Sequence, residues 1–147
     1  MKTVGLFLLL LFFSAEWTQA GEVVANAARV KLTPPLEWEF ALGGYGARMG
    51  KPAEGVHDDI WVKAVVLQEG AHKVAILTMD LLGLPPNVKR QMIERLDDGQ
   101  WHAGNIMLLP SHTHASLEMF ALNDKNIFNM PAIGVYQPKL LDFVVDR

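Results

Sequence analysis

Two histidines stand one residue apart in Ser111-His112-Thr113-His114. Neutral imidazole is a borderline-soft ligand that suits zinc. If the chain runs extended here, His112 and His114 point to the same side, because strand side chains alternate with a period of two. Two such rings can share a metal, or one can ligate while the other orients a water or a substrate. A solvated polar loop is the plain alternative and stays open, since His-x-His is a short motif. His57 lies between Glu54-Gly55-Val56 and Asp58-Asp59, either as a third site residue or as a loop histidine. His72 beside a turn and His102 in a polar loop read as surface residues. Ser14 and Ser116 do not sit in a nucleophile-elbow sequence. The chain has no cysteine, which removes a thiol nucleophile, Cys-ligated zinc, a disulfide scaffold and a lipid-modified cysteine anchor.

The elements that would position these groups follow from periodicity. Ala28 to Leu32 alternates and stops at Thr33-Pro34-Pro35, which predicts a short strand. Gly43-Gly44-Tyr45-Gly46 marks a tight turn or a close backbone approach, and no Gly-Lys-Ser/Thr follows to make it a phosphate loop. Ile60–Gln68 and Lys73–Met79 are β-branched and apolar runs around Glu69-Gly70, the pattern of an antiparallel hairpin. The second run is apolar on both faces and belongs inside a sheet. Pro85-Pro86-Asn87 can open a helix. Val88, Met92, Ile93 and Leu96 then share one helical face, with Gly99 as the expected C-terminal cap. Asn105–Leu109 reads as the next strand, completing a βαβ unit with a right-handed crossover. Gln137–Arg147 predicts a further helix, with Leu140, Leu141, Val144 and Val145 on one side. That pattern runs to the last residue without a cap, so the helix is expected to lack part of its packing partner.

The fold class is therefore α/β, a mixed sheet with a βαβ unit. Ligands in open α/β sheets collect outside the carboxyl ends of the strands. Asp80 ends the first strand of the unit, and His112-Thr113-His114 lies just past the second.

At 147 residues the chain has room for one domain with a real core. A net charge of −3 gives no reason to expect a nucleic-acid partner, and 50% hydrophobic content is too high for disorder. Lys2, the apolar run Val4–Phe13 and the small residues before Gly21 predict a secretory signal peptide over residues 1–20. As a helix that run would rise about 15 Å, half of the roughly 30 Å a bilayer core needs. The mature protein is expected to start at Gly21 and to be secreted or periplasmic. Missing disulfides fit a bacterial export route.

His112-x-His114-x-x-x-Glu118 also has the spacing of the cupin metal signature. A cupin is an all-β jelly roll, and Ile106 and Lys125 replace the glycines its signature carries. A helix directly upstream argues against it as well.

Five blocks come in a fixed order: Ala28 to Pro35, Gly44-Tyr45-Gly46-Ala47-Arg48, Gly55-Val56-His57-Asp58, Asp80-Leu81-Leu82-Gly83, and Asn105 to His114. Together, over residues 25–116, they resemble the N-terminal part of the neutral/alkaline non-lysosomal ceramidase family. The resemblance implies an exported zinc amidase that cleaves the N-acyl bond of a ceramide-like lipid with zinc-activated water, touching a membrane surface only transiently. It implies Zn2+ as cofactor, with His112 a zinc ligand, His114 an active-site partner beside it, and His57 near the same pocket. Residues 21–147 would then be the N-terminal part of a larger catalytic domain. The family continues His-Thr-His-Ser-Gly-Pro, whereas this chain has Ala115-Ser116-Leu117 after the second histidine. The family's remaining zinc ligands and its serine near the scissile amide lie beyond residue 147. The alternative is a non-catalytic exported domain of the same fold with an incomplete metal site. Met119, Phe120, Phe128, Met130 and Tyr136 are either an apolar entrance for a lipid or core residues.

Overall fold

The structure is a computed structural model and describes residues 21–44, 46–48, 51–119 and 138–147. The expected signal peptide, Tyr45, and the apolar residues Phe120, Phe128, Met130 and Tyr136 lie outside them. Among the described residues no helix is long and apolar enough to cross a membrane.

Four strands form one sheet in sequential order: β1 (Val23–Lys31), β2 (Trp61–Glu69), β3 (His72–Met79) and β4 (Ile106–Pro110). β1 and β2 pair antiparallel, as do β2 and β3, while β3 and β4 run parallel. Glu69 faces His72 across the turn at Gly70, whose φ of 55° is in the left-handed region. That is the predicted hairpin. The helix α1 (Asn87–Leu96) joins the parallel pair and completes the predicted βαβ unit. The mixed sheet with a parallel crossover is not a jelly roll, so the cupin reading is overturned.

Two boundaries differ from expectation. β1 begins at Val23, five residues earlier than its alternating pattern, because its hydrogen bonds to β2 continue to Glu69. The helix α1 is capped at Asp97 rather than at Gly99. Asp97 adopts φ 37° and donates its N–H to the Ile93 carbonyl. Asp tolerates the left-handed region because its short polar side chain can bond locally.

One face of the sheet meets the core. Ala75, Met79 and Ile106 are buried there, and Val62, Leu77 and Leu108 pack against the cluster around Leu32, Phe40, Leu81, Val88, Leu117 and Met119. The register places Val23, Val65, Val74, Met107 and Leu109 on the opposite face, and all five are exposed.

The last helix, α2 (Pro138–Asp146), corrects the expectation of a missing partner. Leu140, Leu141, Val144 and Val145 are all buried in the core. Trp38 meets Phe143 edge-on with ring centres 5.5 Å apart. Arg95 of α1 pairs with both Asp142 and Asp146 of α2. Met119 is fully buried in the same core, so it is not part of an entrance.

Candidate functional site

The site lies where the parallel strands end. Past Met79 and Pro110 the backbone changes partners: Ser111 N–H donates to the Met79 carbonyl at 2.9 Å, and His112 N–H to the Leu81 carbonyl at 2.9 Å. These bonds pull the chain out of the extended form. His112 has φ 60°, so the expectation of an extended His-x-His segment is wrong. The two imidazoles still meet, at a ring-centre separation of 5.5 Å and an interplanar angle of 78°. Backbone bending, rather than strand alternation, brings them together.

The predicted glycine-rich segment supplies the other wall. Leu42 pairs with Leu117 in an isolated antiparallel bridge, Gly43 N–H donates to the Ser116 carbonyl at 2.8 Å, and Glu118 N–H to the Ala41 carbonyl at 2.9 Å. Gly44 has φ 76°, and a Cβ built there would lie 2.3 Å from His114 Nδ1. This is the close approach the glycines signal. Ser116 is buried, and its hydroxyl donates to the Thr113 carbonyl at 3.2 Å.

A cavity of about 520 Å³ opens beside this loop. That is within the size range of small-molecule sites. Pro34, Phe40, Leu42, Val56 and Ile60 give it apolar walls, and Asp58, Asp59 and Asp80 give it acidic ones. Thr113, Ala115 and Ser116 face it, while His112 and His114 are not among its lining residues. His57 does line it. Its Nδ1 lies 2.6 Å from Asp58 Oδ2, with both side chains almost fully exposed. Asp80, expected at the strand end, accepts the Trp61 N–H at 2.9 Å and ties the end of β3 to the start of β2. His72 and His102 are exposed. They line a second depression, which also includes Gly99.

The donor chemistry of His112 and His114 fits zinc. Two imidazoles on one tetrahedral ion, with Zn–N near 2.0–2.1 Å, stand roughly 5 Å apart between ring centres. The number of donors does not close: among the described residues no group of three or more His, Asp or Glu is gathered to hold a metal. A catalytic zinc takes three protein ligands. The structure brings His112 and His114 together and leaves His57 on the cavity side of the loop.

One wall of the cavity titrates away from its ordinary value. Asp59 is held below the ordinary carboxylate value by its hydrogen bond to Lys31, 2.8 Å away, and by the Thr33 hydroxyl. A carboxyl lowered on folding contributes stability above its unfolded value and loses it as pH falls through the folded one. Asp59→Asn should therefore melt below wild type at neutral pH. The difference should close on the acid side of that folded value, read from thermal melts across pH. A gap that widens on acidification would contradict this.

Glu118 and Gly44 were not singled out as a pair by sequence. Glu118 is buried, and its Oε2 accepts the Gly44 N–H at 3.1 Å. The available signals were a glycine run and an acid four residues after His114, with nothing to join them.

Set against solved structures, the fold is similar to part of a ceramidase. The chain matches the crystal structure of neutral ceramidase from Pseudomonas aeruginosa with a TM-score of 0.70 and 24% identity, over 87% of this chain and 20% of that one. A ceramidase complexed with C2 matches with the same values. The chain thus spans a fifth of the length of these neighbours. At this identity the likeness establishes the fold. Comparison of the sequence with protein-family models and with curated proteins returns no match.

Proposed function

We propose that this chain is the N-terminal part of an exported, zinc-dependent amide hydrolase of ceramidase type, acting on the N-acyl bond of a ceramide-like lipid. The observation that carries the reading is the imidazole pair His112–His114, 5.5 Å apart, just past the carboxyl end of β4 in a ceramidase-like fold. Two solved ceramidases share that fold, and an α/β sheet builds its site at this end.

His112 and His114 would hold the metal or stand against it, with His112 the direct ligand and His114 the partner. The remaining donors would come from outside the described residues. When bound, zinc lowers the pKa of its water to about 7 and so supplies a nucleophile at neutral pH. The chain's own residues do the rest. The Ser111 and His112 amides fix the loop on the carbonyls of Met79 and Leu81. His114 holds a proton or a hydrogen bond beside the scissile amide. The cavity offers apolar walls at Phe40, Leu42, Val56 and Ile60 for an acyl or alkyl chain, with His57 at its mouth.

The test is zinc content by elemental analysis beside fatty-acid release from an N-acylsphingosine, before and after chelation. Hydrolysis that falls on chelation and returns with zinc supports the reading. Hydrolysis that survives chelation in zinc-free protein sinks it. Export belongs to the same reading: N-terminal sequencing of the exported protein should start at Gly21, and a protein retaining Met1 in a membrane would oppose it.

A second reading is a non-catalytic exported domain of the same fold. It is favoured by the absence of a third donor among the described residues. Folded protein with neither stoichiometric zinc nor hydrolysis would select it.

A further inference from the structure

We infer that Glu118 is a positioning residue for the histidine pair and that it acts through Gly44. The inference rests on reading His112 and His114 as the working pair. Glu118 is only 6% exposed. A buried carboxyl group is costly unless it is hydrogen-bonded. This one accepts the N–H of Gly44 at 3.1 Å.

Gly44 needs such a hold. It is at φ 76°, in the left-handed region. It follows a short two-strand lacing made by the Ala41–Glu118, Leu42–Leu117 and Gly43–Ser116 contacts. The carboxylate bond extends that lacing by one residue. The His114 ring lies directly on the glycine: a Cβ there would meet Nδ1 at 2.3 Å and Cε1 at 2.4 Å. The atoms it would meet are the far end of a side chain, so an added methyl displaces the ring before it displaces the fold. The ring so seated is the one that stands edge-on to His112. The chain of support therefore runs from the Glu118 carboxylate to the Gly44 amide, from the bare α-carbon of Gly44 to His114, and from His114 to His112.

The experiment is the through-space proton contact between the two imidazoles, measured by NMR in the 147-residue chain without metal or substrate. Thermal melting is recorded beside it. Glu118→Ala and Gly44→Ala should lose the ring-to-ring cross-peak while the melt stays cooperative. Glu118→Gln keeps an oxygen acceptor for the Gly44 N–H and should retain the cross-peak. That rescue separates positioning from general destabilisation. A cross-peak of wild-type intensity in folded Gly44→Ala or folded Glu118→Ala overturns the inference. If Glu118→Ala does not fold, Gly44→Ala decides, since its change lies at an exposed turn. The readout involves neither zinc nor hydrolysis, so failure of the hydrolase reading leaves a different signature.

Discussion

His112→Ala should lose its zinc to background on dialysis, whereas His114→Ala should keep much of the metal and lose turnover. The split follows from their places. The His112 backbone is pinned to Leu81, directly after the strand end, and its ring is the proposed direct ligand. The His114 ring rests on Gly44 and is the proposed partner. Losing one of three ligands leaves a tetrahedral site open on two corners. Losing a group that orients rather than ligates costs roughly 10–100-fold in affinity or activity. Losing a general acid or base costs about 100–10,000-fold in rate. His72→Ala and His102→Ala should match wild type in both readouts, since both rings are exposed beside a separate depression. The comparison belongs in protein that carries the complete ligand set. In the 147 residues alone zinc should bind weakly, because one or two imidazoles do not close a tetrahedral site. Stoichiometric zinc and normal hydrolysis in His112→Ala would remove the site assignment.

The second large effect is expected at Leu81. Its side chain is fully buried in the core, and its carbonyl accepts the His112 N–H. Leu-to-Ala changes at such sites cost about 2–5 kcal/mol. For a domain near this size that is a fall of roughly 5–15 °C in melting temperature. Met107→Ala, on the exposed sheet face, should change stability by only about 0.5 kcal/mol. Leu81→Ala should also weaken the contact between the two imidazoles, because the loop that carries them hangs from this residue. Equal melting temperatures for the two variants would mean that Leu81 is not the anchor described here.

Much of the frame was legible in the sequence because it is locally encoded. Two β-branched runs around a Glu-Gly turn specify the hairpin. Prolines at 85 and 86 and the spacing of Val88 and Met92 specify α1. The full length of β1 was not legible, because Val23 to Ala27 carry little alternation and the strand is held by its pairing with β2. The cap of α1 is not legible either, because Gly99 offers the usual signal while Asp97 takes up the same backbone region two residues earlier. The burial of α2 depends on Arg95, Trp38 and the core cluster, which no local pattern joins to residues 140–145. At the site, the type and spacing of the histidines were readable. The bend at His112 was not, since it comes from carbonyls at Met79 and Leu81 that lie far away in the sequence. The role of Gly44 follows the same logic: its glycine signal is local, while its partners His114 and Glu118 are not.

The parallel pairing of β3 and β4 also sets an order of assembly. The β2–β3 hairpin closes across a short turn and costs little chain entropy. Pairing Ala75 with Ile106 must wait until the intervening chain, with α1, has crossed the sheet. The histidine loop requires that pairing and, in addition, the arm from Ala41 to Gly44 laid against residues 116–118. On that ordering it should form after the hairpin and open before it. In native-state hydrogen exchange, the amides of Gly43, Gly44 and His112 should exchange through a partial opening that leaves the hairpin protected. The end of the sheet that carries the two histidines would then open as a unit of its own on a more durable hairpin.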